Sequence, residues 1–250
     1  VTKIEEGAFA RCAALTARAV PESVTIIKDN TFAYCEILVS IDLPKSITEF
    51  EKSAFEYCRH LASISIPNSV ISIGDYAFSD CSALTSIRIP ESVTTIGAGI
   101  VTGCTNLTEI QVEAGNPAYS AVDNILYDKA QTTLIQCLPS KTSVSLPATV
   151  TVIGSSAFNN CTGLTSITLP QSLTTIGDRA FVSCTSLTAI DIPRSVSAIG
   201  ESAFFNSGLT SICIPEAVTN IGNSTFSNCG HLASVTLHDG ITHIGEQAFA

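Results

Sequence analysis

Val70 to Val93 reads VISIGDYAFSDCSALTSIRIPESV, and its pattern returns along the chain in steps of 23 residues. Phe9, Phe32, Phe55 and Phe78 mark the step, Val101 takes the next slot, and Phe158, Phe181, Phe204, Phe226 and Phe249 resume it. Phe204 to Phe226 is 22 residues, and the 57 from Val101 to Phe158 hold one regular unit and one enlarged by 11. Three residues after the Phe slot runs a second column: Cys12, Cys35, Cys58, Cys81, Cys104, Cys161, Cys184 and Cys229. A unit with about six apolar positions cannot enclose them, so the copies must bury each column against the next.

Within the unit, Ile87 and Ile89 alternate with Ser86 and Arg88 and stop at Pro90. That predicts a short strand with one buried face, ended where the ladder loses a donor. Phe78, Cys81 and Leu84 recur at intervals of three, which predicts a short helical or 3₁₀ turn. Gly74 returns as Gly97, Gly154, Gly177, Gly200, Gly222 and Gly245, a bend that needs either positive φ or close backbone approach. Strand pairs running from Arg18/Val20 and Ile41/Leu43 to Val235/Leu237, ten in all, would stack at about 4.8 Å into a face on the order of 45 Å long. The expected fold is an α/β-type repeat solenoid, a superhelix with a parallel β face and short helical or 3₁₀ turns, forming one array over 1–250. Only 113–146 is irregular, and there Ile125 to Tyr127 and Thr133 to Cys137 flank Asp128 to Thr132 as in a hairpin.

Composition narrows the function. Apolar residues make up 45% and charged ones 14%, too little charge for a disordered chain. A net charge of −10 repels a phosphate backbone, so neither nucleic acid nor an anionic membrane is an expected partner. No apolar run reaches the roughly 20 residues that span a bilayer, and no targeting signal lies in this segment. The chain opens at Val1 in mid-pattern without a Met and stops just after Phe249, so it reads as an excerpt. Uncapped ends of a solenoid invite self-association.

The LxxIxIP strand framed by IGxxAFxxC resembles the leucine-rich repeats of the BspA-like type from Val1 to Ala250, and the irregular GNPAYSAVDNILYDKAQTTLIQCLP (Gly115 to Pro139) resembles an interruption common in those arrays. Departures are local: Val101 for Phe, Ser207 for Cys after a one-residue deletion, and His238 for Pro. The resemblance implies a secreted or surface-anchored microbial protein that adheres to host extracellular or surface proteins. The motif carries no catalytic residues.

The columns assign most reactive side chains to packing. Stacked cysteines keep parallel Cβ vectors about 4.8 Å apart, whereas a disulfide needs about 3.5 to 4.5 Å and convergence, which favours a ladder of reduced thiols. No paired knuckle spacing marks a zinc site. Cys213, between Ile212 and Ile214, should point outward. His60 and His231 share a turn position; His238 and His243 lie near Asp239 without a wider constellation. No phosphate-binding loop or anchored acid/base pair occurs, so no cofactor or catalytic residue is expected. The acidic residues read as scattered surface substitutions. The outward column between the two strand apolars varies: Asp42, Ser65, Arg88, Gln111, Thr168, Asp191, Cys213 and Thr236. These are the candidate protein-binding residues of a non-enzymatic module, with Tyr119 and Tyr127 of the irregular segment as alternatives. A passive stalk, or a glycan-binding surface, is the rival reading.

Overall fold

In the computed structural model, which describes residues 1–250, each repeat makes one turn of a β-solenoid, and the turns group into two units, Val1–Lys129 and Ala130–Ala250. The first unit contains β1 (Ala17–Ala19), β2 (Ile26–Ile27), β3 (Ser40–Asp42), β4 (Glu49–Phe50), β5 (Ser72–Ile73), β6 (Ser86–Ile89), β7 (Thr95–Ile96), β8 (Glu109–Val112), β9 (Tyr119–Val122) and β10 (Ile125–Asp128). Strands β1–β3 and β6–β8 pair in parallel on the strand face, while β2–β4–β5–β7 form a second parallel ladder. The irregular segment contributes an antiparallel hairpin of β9 and β10, turning at Asp123 and Asn124 with φ of 50° and 60°. Positive φ at both central residues is what a tight hairpin turn demands.

The second unit contains β11 (Thr133–Gln136), β12 (Ser143–Ser145), β13 (Val152–Ile153), β14 (Ser166–Thr168), β15 (Thr175–Ile176), β16 (Ala198–Ile199), β17 (Ser211–Cys213), β18 (Asn220–Ile221), β19 (Ser234–Thr236) and β20 (His243–Ile244). Its strand face pairs β12–β14 and β17–β19, and its second ladder runs β11–β13–β15–β16, with β18–β20 beyond. Ile64/Ile66 and Ile190/Ile192 are the two expected rungs that lack strand pairing.

The core of each unit is a stack of rings. Phe9, Phe32, Phe55 and Phe78 lie 5.2 to 5.6 Å apart in the first, and Phe158, Phe181, Phe204, Phe226 and Phe249 lie 4.9 to 5.4 Å apart in the second, with planes within 10°. Ring spacing a little above the strand repeat means that one column sets the pitch of both. The Cys thiols supply a polar tie beside the rings. Cys58, Cys81, Cys104 and Cys184 each donate to the Phe carbonyl of the preceding turn at 3.1 to 3.2 Å. A serine column does the same at the Pro turn: Ser46, Ser69, Ser92, Ser172 and Ser195 donate to a carbonyl one turn back at 2.6 to 2.7 Å. In the last turn Gly240 stands in the serine place, and His238, in the Pro place, brings Nε2 to the Val218 carbonyl at 3.0 Å instead.

The predicted helical turns, and with them the α/β class, are corrected: the chain has no helix or 3₁₀ segment. Two residues of each regular turn, placed two before and two after the Phe slot, sit in the left-handed region. They are Tyr76 and Asp80 around Phe78, and Arg179 and Ser183 around Phe181. A right-handed helix cannot pass through them. Their amides reach forward to the next turn, Tyr76 to Ala98 and Asp80 to Thr102, with Phe78 bonded to Ile100 between them. The period of three is a ladder of turns seen end-on.

The glycine column answers its alternative in favour of close approach. A Cβ on Gly177 would lie 2.8 Å from the Ser155 nitrogen, and on Gly200 2.4 Å from that of Asp178, while neither has positive φ. The acidic side chains are also less scattered than expected. Asp29, Asp75 and Asp178 each accept the backbone N–H of the matching residue one turn later, at 2.7 to 2.9 Å, and Asn223 does so at 2.8 Å.

Candidate binding face

Alternation along the strands carries one side chain inward and the next out. Asp42, Ser65, Arg88, Gln111, Thr168, Asp191, Cys213 and Thr236 are all exposed, and all but Thr236, whose neighbour Leu237 is itself exposed, lie between buried or half-buried neighbours. Arg88 stands beside Gln111 on β6 and β8 in the first unit, and Cys213 beside Thr236 on β17 and β19 in the second. Asp42 pairs in register with Ala19, and Thr168 with Ser145, an exposed member of the row that the enlarged unit hid from the 23-residue count. Ser65 and Asp191 lie on the two rungs without strand pairing.

In the first unit the row is flanked by clefts where the ladder is open. One of about 650 Å³ lies between the rungs of Asp42 and Ser65, with Lys45 and Asn68 at its rim. A second of about 360 Å³ joins Ser65 and Asn68 to Arg88 and Glu113. A third of about 450 Å³ runs from Arg88, Glu109, Gln111 and Glu113 to the hairpin turn at Asp123 and Asn124. Arg88 Nε is 3.1 Å from Glu113 Oε1, and Glu113 Oε2 accepts the Glu91 amide at 3.0 Å. Gln111 Nε2 donates to Glu109 Oε1 at 2.7 Å. The third cleft therefore holds three carboxylates against one guanidinium.

Glu109, Glu113, Asp123 and Asn124 were not singled out from the sequence, though two of them left a mark. Glu109 interrupts a column otherwise of Ser and Ala, and Glu113 stands where the Pro column requires proline. Tyr119 and Tyr127 are turned into the fold. Both are buried, and the Tyr119 hydroxyl accepts the Ile96 amide at 2.8 Å and donates to the Thr94 carbonyl at 3.2 Å, closing the exposed edge of β7. His60 is tied to the Glu36 carbonyl at 2.7 Å. No group of three or more His, Cys, Asp or Glu side chains comes together in a way that could hold a metal ion. A hollow of about 700 Å³ lined by Phe226, Leu232, Val235, Leu237, Ile244 and Phe249 consists of core columns, the face that each preceding turn covers with the next. No helix is long and apolar enough to cross a membrane.

Solved structures resemble this arrangement. A leucine-rich repeat protein from Eubacterium ventriosum superposes with a TM-score of 0.82 at 28% identity, over 99% of this chain and 79% of that one. A leucine rich cell surface protein from Faecalibacterium prausnitzii gives 0.65 at 29% identity, over 94% of this chain and 63% of the other. The pneumococcal vaccine antigen PcpA gives 0.65 at 21% identity over 100% and 77%, a likeness of fold. Among curated proteins no sequence match is found. Residues 2–121 and 132–250 match the BspA type leucine rich repeat region in 6 copies. With most of its length so matched, the chain belongs to the BspA-type leucine-rich-repeat family.

Proposed function

We propose that the chain is a non-enzymatic binding module of a bacterial cell surface, and that it holds a protein partner along the outward strand row. The surface location rests on the likeness to the Faecalibacterium cell surface protein. The observation that carries the binding reading is the run of three clefts beside Asp42, Ser65, Arg88 and Gln111. A surface that only spaced other domains would have no need of them. The excess of carboxylate around Arg88 favours a partner presenting lysine or arginine side chains, and the shortage of exposed aromatic anchors favours modest affinity. Thr168, Asp191, Cys213 and Thr236 are the corresponding outward residues of the second unit. The test is binding to a panel of immobilised host extracellular proteins. Replacing Asp42, Glu109 and Gln111 together by Ala should abolish capture while the melting temperature stays nearly constant, since exposed side chains contribute within about 0.5 kcal/mol each. Undiminished capture by that folded variant sinks the strand-face reading.

A further inference from the structure

The enlarged repeat breaks the thiol ladder at one place. Cys137 N–H donates to the Ala157 carbonyl at 2.8 Å, the bond that Phe158 makes to Ala180 and Phe181 to Ala203 in the following turns. Cys137 thus fills the Phe slot of its turn, a position that no other cysteine of the chain occupies. Cys35, Cys58, Cys81, Cys104, Cys184 and Cys229 each have a Phe carbonyl of their own. Here Cys137 Sγ and Cys161 Sγ converge on the single carbonyl oxygen of Leu138, at 3.6 and 3.7 Å. Both side chains are fully buried.

Convergence is the condition that the regular column fails to meet. Cysteines one turn apart on parallel strands keep parallel Cβ vectors, while a disulfide requires the two to point together. We propose that Cys137 and Cys161 are a disulfide site, closed by exchange with a low-molecular-weight disulfide such as oxidised glutathione as the chain folds. One protein thiolate attacks a glutathione sulfur, breaks the S–S bond and releases the first glutathione thiolate. The second protein thiolate then attacks the protein sulfur of the mixed disulfide and displaces the second glutathione. Two protein thiols are oxidised to one disulfide, one glutathione disulfide is reduced to two thiols, and the two protein protons end on glutathione. The bond ties the enlarged turn to the regular turn after it, where the Phe stack begins. Burial then shields it from reductant; all ten cysteines are free thiols in this structure, and no other two share one carbonyl acceptor.

Trypsin separates the pair cleanly: Cys137 is the sole cysteine between Lys129 and Lys141, and Cys161 the sole one between Lys141 and Arg179. The full chain is refolded in a glutathione redox buffer, then denatured, alkylated and digested without reductant. A linked peptide joining 130–141 to 142–179, with the other cysteines alkylated, is the expected result. Alkylation of all ten cysteines, or a linkage among column cysteines instead, overturns the proposal. Cys137→Ser, compared with Cys161→Ser, should each leave nine alkylated thiols. A new disulfide elsewhere in either variant would count against a specific pair. The wild-type digest decides the question even if a variant folds poorly.

Discussion

Gly177 and Gly99 both lie in crowded places, and only Gly99 is also held at a positive φ. Gly99 has a φ of +64° in the left-handed column, whereas Gly177 has ordinary φ and no room, its missing Cβ falling 2.9 Å from the Gly154 carbonyl carbon. Gly177→Ala should therefore destabilise by about 1–3 kcal/mol, as overpacking against backbone does. Gly230→Ala, with no atom within 4 Å of the new carbon, should stay within about 0.5 kcal/mol. Arg179, held at a φ of 56°, is the reverse case. Arg179→Gly should stabilise by about 0.5–1 kcal/mol, because relief of the left-handed strain exceeds the entropy lost by glycine. Urea denaturation of the three variants checks the order. Tyr34 and Tyr57 bear the same strain, but stack at 4.6 Å with Arg11 over the Tyr34 ring and Arg59 over Tyr57, contacts that offset it.

The thiols give a pH dependence. Burial pushes Cys58, Cys81, Cys104 and Cys184 up from 9.0, Cys104 to about 12. Between those values the unfolded chain has lost protons that the folded chain keeps. Stability is thus full below pH 9 and falls as pH rises toward 12. Unfolding midpoints taken from pH 7 to 11 should decline only above 9, and Cys104→Ala should flatten that decline while costing about 1 kcal/mol at neutral pH for the lost hydrogen bond. A midpoint independent of pH would contradict the buried ladder.

At the level of the element, the strands were legible because a period of two has one structural meaning, and the exposed row follows from it. The turn was not, because intervals of three fit a helix and a ladder of left-handed turns alike. Composition gave a hint only in part: Asn160, Asn206 and Asn228 suit positive φ, whereas Arg11, Tyr34 and Tyr57 occupy the same column without announcing it. The clefts were hidden for another reason, since they depend on which rungs leave the ladder open, and Ile64/Ile66 reads like any other pair. The Pro turn is held by its serine. Ser92→Ala deletes a 2.7 Å bond to the Val70 carbonyl and should cost about 1 kcal/mol, read as faster amide exchange around Val93.

At the scale of the whole molecule, stability comes from columns, so damage should be felt by neighbours. Phe181→Ala removes a fully buried ring between Phe158 and Phe204 and should cost about 3–5 kcal/mol, visible as accelerated amide exchange through 130–250. Unchanged exchange there would mean that the ring stack does not carry the fold. The ladders also fix a unit of inheritance. Thr175 pairs with Ala198 and Ser211 with Ser234, each partner lying 23 residues on, so a complete repeat can be lost or gained while every surviving residue finds its usual neighbour. Gain or loss of one whole repeat changes the number of turns without unfolding the product. A chain built this way can lengthen or shorten as its lineage diverges and leave the register of its outward strand residues intact.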